Sequence, residues 1–258
     1  MFGELVMLRG DDGDKLRTYL SSLDKLRPRM CYRIAVLCVR TNHTSQHDIM
    51  HGTKTTASFD NFLSGMGWKV KLKHHRARGC FMGGLDCSLH TKMLYYGSSM
   101  REVSFHVVPW MPLKKNDEQQ IERKRHVGND TVHIVWCENA KGYDISSFVS
   151  EVTAVFIVLI PLPCTTLVKV QVFCRDPSLC FGPLQDGAVV GRDVIGLLAR
   201  ATAINANDLI RKKKSSDHYS EKEDLHPSFF RRQRMSVILD RLSSGDLTQK
   251  DLAAVLFK

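Results

Sequence analysis

The sequence predicts an α/β domain in which a central mixed β-sheet is flanked by helices and followed by a C-terminal helical tail. Apolar runs rich in β-branched residues, such as 32–39 and 152–160, recur along the chain and are typical of buried strands. Segments with apolar residues at helical spacing lie between them. No segment repeats another, which favours a single sheet-based domain over an array of repeated units.

The first half of the chain opens with a predicted helix. Residues 14–26 carry leucines at helical spacing and end before Pro28, which favours a short amphipathic helix. The later elements expected in this half are a strand at 32–39, a polar loop at 42–55, a helix at 57–67, a half-exposed strand at 68–73, a glycine-rich connection at 77–88 and a strand at 102–108.

The second half opens with a helix predicted over 116–126. Asn116 and Gln119 fit a capping box at its start, acidic residues lie in its first turn and basic ones in its last, and Gly128 is placed to close it. The elements expected after it are strands at 131–137, 152–160 and 166–173, a long helix at 191–210, a polar linker at 212–224, and tail segments at 227–242 and 247–257.

Composition bounds the class of protein. An apolar content of 43% and a charged content of 25% are ordinary for a soluble globular domain. The longest apolar run, residues 154–164, is too short to cross a membrane. The N-terminus shows acidic residues and no apolar signal segment, and none of the 8 cysteines forms a C-x-x-C pair. We therefore expect a cytoplasmic protein with reduced thiols, no membrane span and no zinc site.

The formal net charge of +10 implies an acidic partner. Basic residues cluster at 68–78, 122–126, 211–214 and 231–234. Charge alone leaves nucleic acid, a phosphorylated ligand, anionic lipid and an acidic protein open. Aromatic residues are sparse in the clusters, and no zinc-finger or RNA-binding signature is present, which disfavours nucleic acid.

Two other motifs fit catalytic chemistry poorly. His43, His47 and His51 recur at four-residue spacing and could hold a metal on a helix, but the segment is rich in loop-forming residues, so a solvated loop is expected. The glycine-rich stretch 80–86 lacks the lysine and serine of a phosphate-binding loop, and a tight connection between strands is expected instead.

The stretch from Glu122 to Asp130, ERKRHVGND, crowds positive charge directly before a predicted strand. If the helix continues through it, Glu122, Arg125 and Asn129 share one face. An amide is not a base at neutral pH, but its oxygen can orient a water molecule and its NH2 group can donate to a phosphate oxygen. Local sequence therefore leaves two interpretations of Asn129 open: a residue that positions a water molecule, or a helix terminator.

Residues 124–136, KRHVGNDTVHIVW, resemble the signature of GTPase-activating domains of the Rap/Ral/tuberin type: a basic pair, histidine, an aliphatic residue, Gly-Asn-Asp and a strand. Within that family the chain is most similar to the catalytic alpha subunits of Ral GTPase-activating complexes. Further blocks follow the family's order, namely DNFLSGMGWKVKL, GCFMGGLD, YYGSSMREVSFHV, FGPLQDGAVV and RATAINA. The resemblance implies a lead-in at 1–31, a GTPase-activating domain at 32–206, and a linker with C-terminal helices packing on it at 207–258.

The resemblance also implies an activator of GTP hydrolysis rather than an enzyme with its own substrate. Such a domain inserts an asparagine "thumb" into the nucleotide site of a Ras-superfamily small GTPase, here of Rap, Ral or Rheb type. The partner carries GTP and Mg²⁺, so this chain is expected to bind no cofactor, and activity can require a partner subunit. The site residues carried over are Asn129, His126 and Arg125 for catalysis, and Glu122, Arg123, Lys124 and Asp130 for GTPase binding. The competing interpretation is a non-catalytic module that binds a GTPase or a complex through the same surface.

Three features depart from the family pattern. Val108, Pro109 and Trp110 stand where the family carries small polar residues, just before the predicted helix. Charged insertions at 73–78 and 211–224 have no counterpart in the family. The first departure is expected to affect the start of the helix or the choice of partner, and none of the three removes the thumb.

Overall fold

The computed structural model describes residues 29–217 except 44, 115, 140, 141 and 149, together with residues 14, 17, 18, 20, 21, 235 and 236. The described residues leave out the tail segment expected at 247–257, all but two residues of the one expected at 227–242, and most of the helix expected at 14–26. The chain divides into two units, Cys31–Tyr219 and Met1–Met30 with Ser220–Lys258. The site described below belongs to the first.

A single sheet of eight strands forms the centre of this unit, in the order β2-β3-β4-β1-β5-β6-β7-β8. The strands are β1 Met30–Val39, β2 Trp68–Lys71, β3 Lys92–Gly97, β4 Arg101–Val107, β5 Val132–Cys137, β6 Val155–Pro161, β7 Leu167–Cys174 and β8 Val189–Gly191.

Parallel pairing is confined to the middle of the sheet. Strands β1 and β5 pair in parallel, as do β5 and β6, whereas β2–β3, β3–β4, β6–β7 and β7–β8 are antiparallel. The central strands are apolar almost throughout, and every residue of β5 is buried. This is the pattern of strands covered on both faces.

Five helices flank the sheet in the described part of the chain: α1 Gln46–His51, α2 Ala57–Met66, α3 Leu72–Ala77, α4 Ile121–Gly128 and α5 Ile195–Asp217. Helices α2 and α5 pack together through two glycines. A Cβ on Gly196 would lie only 2.7 Å from the backbone of Gly65, so the close approach of these helices requires glycine there. Phe62 of α2 stacks on Trp136 of β5, with ring centroids 4.8 Å apart.

Helices α1 and α4 contribute to a second apolar cluster. Met50 of α1 and Val127 of α4 are fully buried in it, with Leu37 of β1 and Val135 of β5. Alternate residues of each central strand therefore serve separate apolar layers, and α4 is anchored on the sheet by Val127.

The structure confirms the predicted mixed sheet with flanking helices, and the apolar strands lie close to their expected positions. Two strands, β3 and β8, and two helices, α1 and α3, were not anticipated. The interpretation of 46–51 as loop is wrong, because Ser45 and Asp48 form a capping box that starts α1. The predicted strand at 68–73 ends at Lys71, where α3 begins.

The expected domain boundary at 206 and 207 falls inside a helix. Helix α5 continues to Asp217, so residues 212–217, assigned to a linker from their polarity, are helical. Tertiary contacts hold the helix on the domain into this part: the hydroxyl of Tyr32 donates to Asp208 at 2.7 Å, Ile210 is buried, and Lys213 pairs with Asp176.

Candidate functional site

Asn129 lies at the exposed C-terminal end of α4. The helix ends at Gly128, and Asn129 caps it with φ −92° and ψ 0°, its backbone N–H bonded to the carbonyl of Val127. The side chain is exposed and makes no hydrogen bond with another described residue. Its oxygen and its NH2 group are therefore both available to an incoming partner.

The backbone around Asn129 is held on both sides. The hydroxyl of Ser150 donates to the carbonyl of Gly128 at 2.5 Å, and the hydroxyl of the buried Thr153 donates to the carbonyl of Asp130 at 3.1 Å. The Nε2 of His133 lies 2.9 Å from the carbonyl of Val127. The exposed amide is thus carried on a backbone whose neighbouring carbonyls are all bonded.

The tautomer of His133 follows from its partners. Its Nε2 faces the carbonyl of Val127, which only accepts, so this nitrogen carries the proton. Burial between the rings of Phe148 and Phe156 disfavours the charged imidazolium and lowers the pKa of His133 to about 4. At neutral pH His133 is a neutral donor that supports the last turn of α4.

Asp130 points into the domain, away from Asn129. Its Oδ2 lies 2.6 Å from Nδ1 of His106 on β4, and both side chains are almost fully buried. The Nε2 of His106 lies 3.0 Å from the carbonyl of Gly83 in the glycine-rich connection. Gly83 has φ +65°, and a side chain there would overlap Ser104, so this position requires glycine.

Arg123 is also buried, with 2% of its surface exposed. Its Nη1 donates to the carbonyls of Met50 at 2.5 Å and Gly52 at 3.3 Å, its Nε to that of Pro112 at 3.1 Å, and its Nη2 to that of Met111. Burial lowers the pKa of Arg123 to about 10. This guanidinium ties α4 to the segments before and beneath it.

These contacts correct the expectation that Arg123 and Asp130 bind the GTPase. Both side chains are directed into the domain and bonded there, so they hold α4 and its end in place. Of the set carried over by resemblance, the side chains on the surface or partly exposed are those of Glu122, Lys124, Arg125, His126 and Asn129.

The start of α4 also differs from the prediction. The helix begins at Ile121, not at Asn116, because Gln120 adopts a left-handed conformation with φ 47°. Gln120 occupies the N-cap position, and the carboxylate of Asp117 accepts from the N–H of Ile121, the first helical residue, at 2.8 Å. Gly128 is the last residue of the helix and has no left-handed φ, so it does not close the helix in the way predicted.

The exposed face of α4 carries free positive charge. Arg125 is exposed and Lys124 half-buried, and neither forms an ion pair with another described residue. Glu122 is paired with Lys114, whose ammonium hydrogen bond holds the pKa of that carboxyl below its usual range. Arg125 lies one helical turn before Asn129, so a partner that reaches the amide also meets this charge.

His126 is the third member of a cluster of histidines. Its ring lies 5.2 Å from that of His106 and 5.5 Å from that of His90, measured between centroids. Burial, reinforced by these neighbours, lowers the pKa of His126 to about 4. At neutral pH His126 is therefore uncharged, and it packs the end of α4 against β4 and the connection before β3.

One of the departures from the family pattern lies before α4 in the chain. Val108–Trp110 form a short 3-10 turn that leads into Met111 and Pro112, whose carbonyls bind Arg123. The ammonium groups of Lys69 and Lys92 lie 5.4 and 5.0 Å from the ring centroid of Trp110. This turn therefore lies between the carbonyls that bind Arg123 and the two lysines of strands β2 and β3.

Metal binding and membrane spanning find no support in the described residues. No three His, Cys, Asp or Glu side chains among them form a group that could hold a metal. His47 and His51 stack on α1 with ring centroids 3.8 Å apart, whereas His43 accepts from the N–H of Arg40 outside the helix. Within the same residues no helix has the length and apolarity to cross a membrane.

Sequence reasoning missed the residues that hold the backbone around Asn129 in place. Ser150 and Thr153 lie in a polar stretch with no motif of its own, and nothing local distinguishes them. His133 carried a detectable signal, because it interrupts an otherwise apolar strand. His106 lies in a strand with other polar residues, REVSFHV, and stands out less. A histidine in an apolar strand needs partners inside the domain.

The sheet order, the flanking helices and the sequence blocks together define a GTPase-activating domain. The sequence model of the Rap/ran-GAP family matches residues 49–231, and the chain belongs to that family. The resemblance seen in the sequence is thereby confirmed.

The similarities to individual proteins agree with this assignment. The chain is 35% identical over 200 residues to Ral GTPase-activating protein subunit alpha-1 of Homo sapiens, covering 77% of this chain and 10% of that protein. It is 29% identical over 161 residues to RapA guanosine triphosphatase-activating protein 1 of Dictyostelium discoideum, covering 60% of this chain and 15% of that protein. The solved TSC2 GAP domain matches with a TM-score of 0.61 and 26% identity, covering 68% of this chain and 94% of that one. The chain therefore spans only about a tenth of the length of the Ral-type relative.

Proposed function

We propose that this domain stimulates GTP hydrolysis by a Ras-superfamily small GTPase, and that Asn129 is the thumb it supplies. One observation carries the proposal: Asn129 presents an exposed amide, unbonded within the described structure, on a backbone held at Val127, Gly128 and Asp130. A helix terminator needs no such support. A group that must enter another protein's nucleotide site in one orientation does need it.

The chemistry of an amide defines its role. Its oxygen accepts a hydrogen bond from the attacking water, and its NH2 group donates to a phosphate oxygen, so it aligns the two reactants without taking a proton. A glutamine fills this position in small GTPases, and a supplied arginine adds about 10³–10⁵ in rate. We expect a contribution of similar order from Asn129, or roughly 4–7 kcal/mol of barrier.

The surrounding charge suits an acidic partner surface. Arg125 and Lys124 accompany Asn129 on α4 and have no ion-pair partner among the described residues. Complementary charge of this kind speeds association and fixes orientation. His126, neutral at physiological pH, assists by packing the end of the helix rather than by supplying charge.

The names of the relatives suggest the type of GTPase. Ral GTPase-activating protein subunit alpha-1 gives the highest identity of the relatives described above, which favours a Ral-type target ahead of Rap or Rheb types. The word "subunit" in that name suggests that a partner chain contributes to full activity. GTP and Mg²⁺ are carried by the GTPase, and this domain supplies positioning only. We place the protein in the cytoplasm, where such GTPases act.

The alternative is a module of the same fold that binds a GTPase or a larger complex without stimulating hydrolysis. The exposed basic face of α4 serves either role. The held backbone and the unbonded amide favour catalysis, because binding alone does not depend on the orientation of one amide.

The test is single-turnover GTP hydrolysis by Ral-, Rap- and Rheb-type GTPases, with the full chain and its Asn129→Ala variant side by side. We expect stimulation of at least one GTPase, lost by about 10³-fold in the variant. Asn61→Ala, which removes an exposed amide on α2, is the matched control. Equal stimulation by both proteins rules out Asn129 as the thumb, whereas binding without stimulation supports the module.

A further inference from the structure

His106 lies at a junction between three parts of the domain. It belongs to β4, and its two ring nitrogens reach Asp130 beside the thumb and Gly83 in the glycine-rich connection. His106, Asp130 and Gly83 are all buried. Asp130 directly follows Asn129 in the chain, so this buried arrangement adjoins the exposed amide.

The positions of the protons follow from the two oxygens. The carbonyl of Gly83 can only accept, so Nε2 of His106 carries a hydrogen and donates to it. A carboxylate oxygen 2.6 Å from Nδ1 would repel a bare nitrogen lone pair, so a second proton lies between His106 and Asp130.

This pair is poorly explained as a stabilising device. The other carboxyl oxygen of Asp130, Oδ1, is buried and has no hydrogen-bond partner among the described residues. Leaving an oxygen unsatisfied costs free energy, and buried ionic pairs are often no more stabilising than apolar side chains of the same volume. What the pair does is fix the direction of the chain at the residue after Asn129.

We propose that His106 is a positioning residue for the thumb, acting through the proton it shares with Asp130. Ser150 and His133 hold the chain before Asn129, and the His106–Asp130 pair holds it after. Because the amide of Asn129 has no bond of its own in the described structure, its direction depends on these supports. Through its other ring nitrogen the same histidine binds the carbonyl of Gly83 in the glycine-rich connection. This inference rests on the proposed function of Asn129.

Two variants of Asp130 distinguish the effect of the hydrogen bond to His106 from the effect of the carboxylate's charge. In Asp130→Asn the amide NH2 can donate to Nδ1 of a neutral His106, and the Nε2 bond to Gly83 is kept. In Asp130→Ala the hydrogen bond to His106 is lost, and with it the support of the chain after Asn129. We expect the saturating stimulated rate to fall by about 100-fold in Asp130→Ala, as for a misplacement of about 1 Å. Asp130→Asn should recover most of that loss. The domain concentration giving half-maximal stimulation should change by less than about threefold, because neither variant alters the exposed face.

A second readout needs no GTPase. In ¹⁵N NMR spectra of the full chain, the ring nitrogens of His106 should show a proton on Nε2 and a shared proton at Nδ1. The backbone amide of Asn129 should be ordered in the wild type and in Asp130→Asn, and should lose order in Asp130→Ala. The ring spectrum of the wild type is informative even if Asp130→Ala does not fold.

Three results would overturn the proposal: a bare Nδ1 in the wild type, an unchanged Asn129 amide in folded Asp130→Ala, or equal damage from Asn and Ala at position 130. Failure of the proposed function looks different. In that case Asn129→Ala leaves hydrolysis unchanged, while the NMR result still reports whether His106 orders the segment.

Discussion

The hydroxyl of Ser150 donates a 2.5 Å hydrogen bond to the carbonyl of Gly128, the residue immediately before Asn129. The two residues are 22 positions apart in the chain, so this contact exists only in the folded domain. The carbonyl belongs to the last turn of α4, where helix carbonyls lack partners within the helix. Ser150 satisfies one of them and so fixes the direction in which Asn129 leaves the helix.

Removal of this hydroxyl should affect catalysis more than binding. In Ser150→Ala the Gly128 carbonyl loses its donor, and we expect the saturating rate of stimulated hydrolysis to fall by about 10- to 100-fold. The half-saturating domain concentration should stay within about threefold, as measured by single-turnover titration. Ser146→Ala removes an exposed hydroxyl bonded to Asp144 and serves as the control. A weaker affinity at an unchanged maximal rate would place Ser150 in the binding surface instead.

Gly128 should prove dispensable for the fold and important for the partner. It is helical with no left-handed φ, and a Cβ there would meet only Ser150 Oγ at 3.9 Å. Alanine favours a helix over glycine by about 0.5–1 kcal/mol, so Gly128→Ala should raise the free energy of unfolding in urea. The added methyl group lies beside Asn129, and we expect it to weaken stimulation. A variant that is more stable and fully active would show that the GTPase leaves room for a side chain.

Arg123 should be essential for stability. Replacement by methionine leaves its acceptor carbonyls, among them those of Met50 and Pro112, without their charged donor. We expect a loss on the order of 3 kcal/mol in the free energy of unfolding, measured by urea denaturation. Arg78→Met, on an exposed arginine, should change it by less than about 0.5 kcal/mol. An unaltered urea midpoint in Arg123→Met would show that the buried guanidinium does not stabilise the fold.

Acid should destabilise the domain through His133. Its pKa is about 4 in the folded chain against 6.5 in the unfolded one, so between these values only the unfolded state takes up the proton. The contribution of His133 is complete above pH 6.5 and is lost as the pH falls towards 4, by on the order of 3 kcal/mol. His133→Gln should remove this part of the pH dependence of unfolding, whereas His74→Gln, at an exposed position of α3, should keep it. Equal acid sensitivity of wild type and His133→Gln would assign the effect to other groups.

Much of the architecture could be predicted because it depends on local pattern. The runs at β1 and β6 are apolar over more residues than a turn could accommodate, and such runs are buried as strands in almost any context. Strand β8 was missed because it has three residues and forms only by pairing with β7. The helix over residues 212–217 was missed because the polar composition of these residues resembles that of a linker.

The sequence by itself determined the class of fold, the family and the place of Asn129 at the end of a basic helix. Each of these follows from the order and spacing of the residues along the chain. The tertiary structure alone decided which charges face the partner. Arg123 and Arg125 are two residues apart and chemically identical, yet one is buried and the other exposed. The difference arises because Val127 fixes the rotation of α4 against the sheet, and a helix cannot show both residues to solvent from that orientation. The His106–Asp130 pair likewise joins positions 24 residues apart, a distance that only folding closes.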